Sequence, residues 1–213
     1  MFIGSSSKLF VQQRKELAEI LIDWETANKY VVLDESKNSL GFVTERSEGI
    51  WTLLKRWFLR SHRGFTIDVL DQAGQKKAIL SRGFFWLFSE LDVVGPEGAR
   101  LGRVTRRFGI VRRKYDLSDE FGHVFARISS PLWRLWTFVI RDLGGLERAV
   151  ITKSWGGALR EIFTDADTYL VDYSDHPWSE NQRAVIFAAA ISIDFDFFEN
   201  NQGRGGIVGL LPD

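Results

Sequence analysis

Four glycines, Gly74, Gly98, Gly122 and Gly145, stand 24, 24 and 23 residues apart, each in a polar turn between stretches of alternating apolar residues. Two strands of about 6–8 residues and two turns fill such a period, so each unit reads as a β-hairpin. Glycine suits the tips because tight turns require positive φ. Residues 30–43 show the same alternation, Tyr-Val-Val-Leu-Asp and then Gly-Phe-Val, which adds a fifth hairpin. Five hairpins supply about ten strands. An open sheet that wide leaves long unpaired edges, so closure into a barrel or sandwich is expected.

Two segments break the two-residue period. Residues 11–22 carry a weak amphipathic pattern with Leu17, Ile20 and Leu21. Residues 183–194, Arg-Ala-Val-Ile-Phe-Ala-Ala-Ala-Ile-Ser-Ile-Asp, are apolar on every side, and such a helix must be buried. Its alanines keep it slim enough to sit inside a barrel. The run is also far short of the roughly 20 apolar residues that span a bilayer. The expected architecture is therefore mainly β: an antiparallel barrel threaded by its own C-terminal helix. No linker or low-complexity stretch interrupts it. Residues 1–24 read as a partly helical N-terminal segment, 25–199 as one domain and 200–213 as a flexible tail.

The charges sum to zero but are uneven: residues 1–150 carry +6 and residues 151–213 carry −6. With no cysteine, disulfides, thiolate metal sites, cysteine nucleophiles and S-acylation are excluded. The opening Met-Phe-Ile-Gly-Ser-Ser-Ser-Lys lacks the apolar core of a secretory leader, and Met1 is not followed by glycine. A cytoplasmic location without N-myristoylation is expected.

Two C-terminal motifs are the most specific in the chain. Residues 153–167 begin Lys-Ser-Trp-Gly-Gly-Ala-Leu-Arg-Glu and end Thr-Asp-Ala-Asp, and the apolar run from Arg183 closes as Asp194-Phe-Asp-Phe-Phe-Glu199. Weaker matches are Glu25-Thr-Ala-Asn-Lys-Tyr30, Arg63-Gly-Phe-Thr66 and Gly102-Arg-Val104. In this order the motifs resemble the phospholipid scramblase family over nearly the whole chain. The resemblance implies a tubby-like fold, shared with the LURP-one-related proteins, with about 12 strands closed around a buried hydrophobic helix. It also implies bidirectional, ATP-independent phospholipid movement between leaflets, assisted by calcium. The family's animal members carry palmitoylated cysteine-rich loops. The corresponding residues here, 49–64 and 82–88, hold tryptophan, phenylalanine and arginine but no cysteine.

Several sites are candidates. Ile50, Leu53, Leu54, Trp57 and Phe58 fall on one helical face among Lys55, Arg56 and Arg60. A basic, tryptophan-bearing stripe suits a lipid headgroup interface, with Trp51, Trp57 and Phe58 inserting, and equally suits a satellite core. Phe84-Phe-Trp-Leu-Phe88 reads in the same two ways, as membrane contact or as a buried strand. Arg100, Arg103, Arg106, Arg107, Arg112, Arg113 and Lys114 form a basic run without an intervening acid. Each basic residue near an anionic membrane contributes about 1 kcal/mol. The run reads as a headgroup site or as a solvated strand face. Tubby-like domains resemble one another in contacting phosphoinositides through basic surface, so the resemblance makes anionic phospholipid the expected partner. No nucleic-acid motif accompanies the run.

The resemblance implies a calcium segment at Asp165 and Asp167, with Asp175 nearby. Read as a twelve-residue loop from Asp165, the spacing places Tyr169 at position 5, Leu170 at position 6 and His176 at position 12. None of these fits a calcium loop, so binding near the millimolar end is expected; a turn before a strand is the plainer reading. Residues 168–173 also alternate as a strand. Asp194 and Asp196 read as a functional carboxylate pair or, more plainly, as a helix terminus meeting solvent or arginine at the barrel mouth. His62, His123 and His176 lack zinc-site spacing. No nucleophile elbow or phosphate loop is present, so no covalent catalysis is expected. The expected function is peripheral binding, and calcium-assisted movement, of anionic phospholipid. The alternative is a soluble tubby-like module that binds a protein or a small ligand.

Overall fold

An Asp-x-x-Gly pattern builds the hairpin tips. At residues 71–74, 119–122 and 142–145 the glycine N–H donates to the aspartate carbonyl at 3.0, 3.1 and 3.0 Å. The aspartate carboxylate accepts from amides further along, as Asp71 does from Ala73 and Gln75 at 2.9 Å each. The expected glycines all take positive φ, at 75°, 87°, 86° and 85°. Each tip is preceded by a register shift in its strand pair, as between Leu117 and Ser118. Such bulges increase local twist and help a sheet curl. At the first hairpin Lys37 takes the left-handed position, with φ 65°.

The computed structural model describes residues 6–13, 26–46, 64–134, 136–154, 168–174 and 176–197. Twelve strands run in chain order: β1 Lys8–Gln13, β2 Thr26–Leu33, β3 Ser39–Arg46, β4 Phe65–Asp71, β5 Lys76–Arg82 and β6 Glu90–Val94, then β7 Arg100–Arg107, β8 Arg112–Asp119, β9 Val124–Pro131, β10 Thr137–Asp142, β11 Glu147–Ser154 and β12 Thr168–Asp172. Each pairs antiparallel with its sequence neighbours, and β1 pairs with both β2 and β12, so the barrel closes. The ten strands expected from the hairpins are β2 to β11. β1 corrects the start of the helix expected over residues 11–22: residues 11–13 are strand, with Leu9 and Val11 alternating into the core. Residues 14–22 lie outside the described residues.

One helix, α1 (Glu180–Phe197), fills the lumen, and every residue from Ala184 to Asp196 is buried. It extends three residues beyond the expected run at each end. Its start is a capping box: the Gln182 N–H donates to Ser179 Oγ at 3.2 Å, and the Ser179 N–H donates to Gln182 Oε1 at 3.0 Å. Strand residues such as Ile67, Leu80, Val104, Leu117 and Ile151 pack around it in one continuous core. Gly102 permits the close approach of β7: a Cβ there would lie 2.5 Å from Val185 Cγ2 and 2.3 Å from the Ser118 carbonyl oxygen. Among the described residues, no helix is long and apolar enough to cross a membrane.

In this up-and-down order the odd-numbered strands end, and the even-numbered strands begin, at one mouth of the barrel. The Asp-x-x-Gly tips lie at the other, with the start of α1. The helix therefore ends at the first mouth.

Candidate functional site

Alternation along the strands sorts the basic run into two sets. On β7, Gly102, Val104 and Arg106 face inward, and on β8 so do Arg113, Tyr115 and Leu117. Arg103, on the opposite face of β7, leaves the expected cluster: it donates to Asp92 at 2.7 Å and pairs with Glu90 on the outer wall. Arg107 reaches Asp116 at 2.8 Å, an acid it shares with Arg127. Among the described residues, Arg112 and Lys114 make no ion pair.

The end of α1 organises the inward set. Asp194 and Asp196, expected to end the helix, lie inside it and are buried. Asp196 accepts from Arg82 Nη1 at 2.7 Å and from the Tyr115 hydroxyl at 2.8 Å, while Arg106 stands at 3.9 Å. Asp194 accepts from the hydroxyls of Tyr30, at 2.9 Å, and Tyr169, with Lys153 Nζ at 3.4 Å. The helix dipole also places its negative end here, so the buried cations offset carboxylates and carbonyls together. Burial, and then the Asp196 charge, hold the Tyr115 phenol well above its ordinary range, so it remains a donor.

Phe197, the last helix residue, forms the floor of a pocket of about 240 Å³. Arg113 and Arg106 stack on its ring, at 4.4 and 5.0 Å from the centroid. Burial, with the Arg106 charge beside it, lowers the Arg113 pKa, although an arginine stays charged. Arg107, Arg112 and Lys114 complete the basic lining, and Leu87, Phe88, Phe108 and Leu132 the apolar lining.

The loops around this pocket are apolar and exposed. Phe84, Trp86, Leu87 and Phe88 lie between β5 and β6, Phe108, Ile110 and Val111 between β7 and β8, and Leu132 and Trp133 between β9 and β10. Trp86 is 80% and Trp133 73% accessible. Of the two readings of residues 84–88, the buried strand is corrected: only Phe85 is buried, against Arg82. The others stand in a connection, outside the alternation that would turn them inward.

Trp51, Trp57 and Phe58 lie outside the described residues, as do Asp165, Asp167 and Asp175. Among the described residues, no three histidine or acidic side chains are grouped to hold a metal. Sequence reasoning missed Phe108, Ile110, Val111, Leu132, Trp133 and Phe197. The available signal was the apolar Phe-Gly-Ile-Val segment (residues 108–111) interrupting a basic run, because a solvated loop has no need of it.

The chain is 26% identical to altered inheritance rate of mitochondria protein 25 of Saccharomyces cerevisiae, over 93% of this chain and 72% of that protein. It is 29% identical to phospholipid scramblase 1 of Mus musculus, over 96% of this chain and 66% of that protein. Among solved structures, the X-ray structure of a protein from Arabidopsis thaliana matches with a TM-score of 0.46 and 12% identity, over 86% of this chain and 91% of that chain. The Scramblase family model matches residues 1–200, from before β1 to beyond the end of α1; the chain belongs to the scramblase family.

Proposed function

We propose that this scramblase-family protein docks the mouth described above on anionic phospholipid and, like the relatives named for it, promotes ATP-independent movement of phospholipid between leaflets. One observation carries the reading: a cation-lined pocket opens among exposed aromatic loops at one end of the barrel. Trp86, Phe108, Ile110 and Trp133 suit shallow insertion at the headgroup boundary, where amphipathic rings gather. Arg106, Arg112, Arg113 and Lys114 attract the anionic surface.

The fold also constrains the route. The lumen is filled by α1, so a headgroup does not travel through it. The outer wall carries ion pairs such as Arg103–Asp92 and Arg46–Asp68, whereas a bilayer-spanning barrel presents an apolar outer band. Lipid movement is therefore assigned to the perimeter of the docked mouth, where inserted rings disturb leaflet packing. Any calcium contribution falls to Asp165, Asp167 and Asp175.

The test is co-sedimentation with phosphatidylserine vesicles, run beside a fluorescent-lipid flip assay. Binding should weaken as salt rises and should be lost when Trp86, Phe108 and Trp133 are replaced together by serine. Failure of the unaltered protein to sediment at low salt refutes the reading and leaves the soluble-module alternative.

A further inference from the structure

The pocket is more selective than a basic surface. Its described lining contains five cations and no carboxylate. Asp196 already has Arg82 and the Tyr115 hydroxyl at hydrogen-bond distance, so Arg106, at 3.9 Å, is not committed to it by a hydrogen bond. Beside it in the lining, Arg112 and Lys114 make no ion pair among the described residues. Guanidinium edges match the oxygens of a phosphate, two at a time.

We infer that this pocket is a discrete site for one lipid headgroup that carries phosphate and no amine, best filled by a phosphomonoester such as phosphatidate. This rests on the docking reading above and sharpens its chemistry. A phosphomonoester offers three acceptor oxygens and up to two negative charges. A choline, ethanolamine or serine headgroup brings an ammonium group, which finds no carboxylate in the described lining and is repelled by its cations, of which Arg107 is paired with Asp116 on the outer wall. The volume, about 240 Å³, holds a headgroup and not a whole lipid. The apolar wall of Leu87, Phe88, Phe108 and Leu132 continues into exposed Trp86 and Ile110, which favours a lipid over a soluble phosphate.

The experiment compares phosphatidylcholine vesicles doped with phosphatidate or with phosphatidylserine, matched in zeta potential. The full chain should half-saturate at about tenfold less phosphatidate, the difference one additional charge-assisted hydrogen bond makes. Arg106→Gln should remove that preference while salt-sensitive binding to both vesicle types persists. Lys114→Gln, at an exposed position that folding does not need, should reduce it. Equal binding of the unaltered chain to both vesicle types overturns the pocket and leaves membrane docking intact. Absence of binding to either overturns both. Glycerol 3-phosphate should displace only the phosphatidate excess, and only at millimolar concentration. Saturable micromolar binding of it without vesicles refutes the lipid assignment.

Discussion

Replacing Arg82 by methionine tests whether the end of the helix is held by a buried charge pair. The Arg82–Asp196 contact is 2.7 Å, with side chains 1% and 0% accessible. Arg82 also lies over Phe65 and Phe85, at 4.3 and 5.0 Å, so methionine retains an apolar fit. Asp196 would keep the Tyr115 hydroxyl but lose its guanidinium. Breaking one side of a buried pair costs about 3–5 kcal/mol. For a chain of this size each kcal/mol moves Tm by about 2–4 °C, so Tm should fall by roughly 6–20 °C. Replacing both partners, Arg82→Met with Asp196→Asn, removes both charges, keeps an acceptor for the Tyr115 hydroxyl, and should return stability to within about 1–2 kcal/mol of the parent. The assay is urea unfolding followed by the fluorescence of the eight tryptophans. A single substitution costing under about 1 kcal/mol, or a double costing the sum of the singles, refutes a desolvated pair.

Gly102→Val should destabilise by about 3 kcal/mol or more, because its Cβ meets Val185 and the Ser118 carbonyl at a backbone φ of 155°; a melt unchanged within 1 °C counts against the close packing of α1 on β7. Ser179→Ala removes the capping box and should cost about 1 kcal/mol by urea midpoint. The Asp142 carboxyl is held below its ordinary range, first by the Arg148 hydrogen bond and then by the Leu146 amide. A depressed folded pKa gives stability that is present above the unfolded carboxylate range and lost as pH falls through the folded value. The Tm gap between the parent and Asp142→Asn should therefore be larger at pH 7 than at pH 3; a gap independent of pH contradicts it. Calorimetry with millimolar calcium should give weak heats that Asp165→Asn abolishes, and identical flat titrations of both proteins remove that site.

Much of the wall was readable because its signals are local. A glycine at φ 75° or 86° with an aspartate three residues earlier is a turn whatever surrounds it, so β4, β5, β8 and β9 followed directly from the residues. The lumen helix was readable from its uniformly apolar sides. β1 was not, because Phe10 and Gln12 are buried on the outer face as well and blur the two-residue alternation; Phe10 joins Val31 and Leu33 in a separate cluster there. The pocket was half legible. The basic run stood out, but strand parity, which sends Arg106 inward and Arg103 outward, depends on where β7 begins. Phe197, Trp86 and Trp133 are distant in sequence and reach the same mouth only through barrel closure.

That closure governs how the protein can be made. Its first strand is stitched to its last, Leu9 opposite Val171, and the segment that plugs the cylinder follows both. On the ribosome the staves emerge before the piece they enclose, so every oily inner face waits uncovered until the final fifth of the chain has left the tunnel. Assembly must be late and nearly all at once, and a nascent polypeptide arrested before residue 180 is a natural client for chaperones.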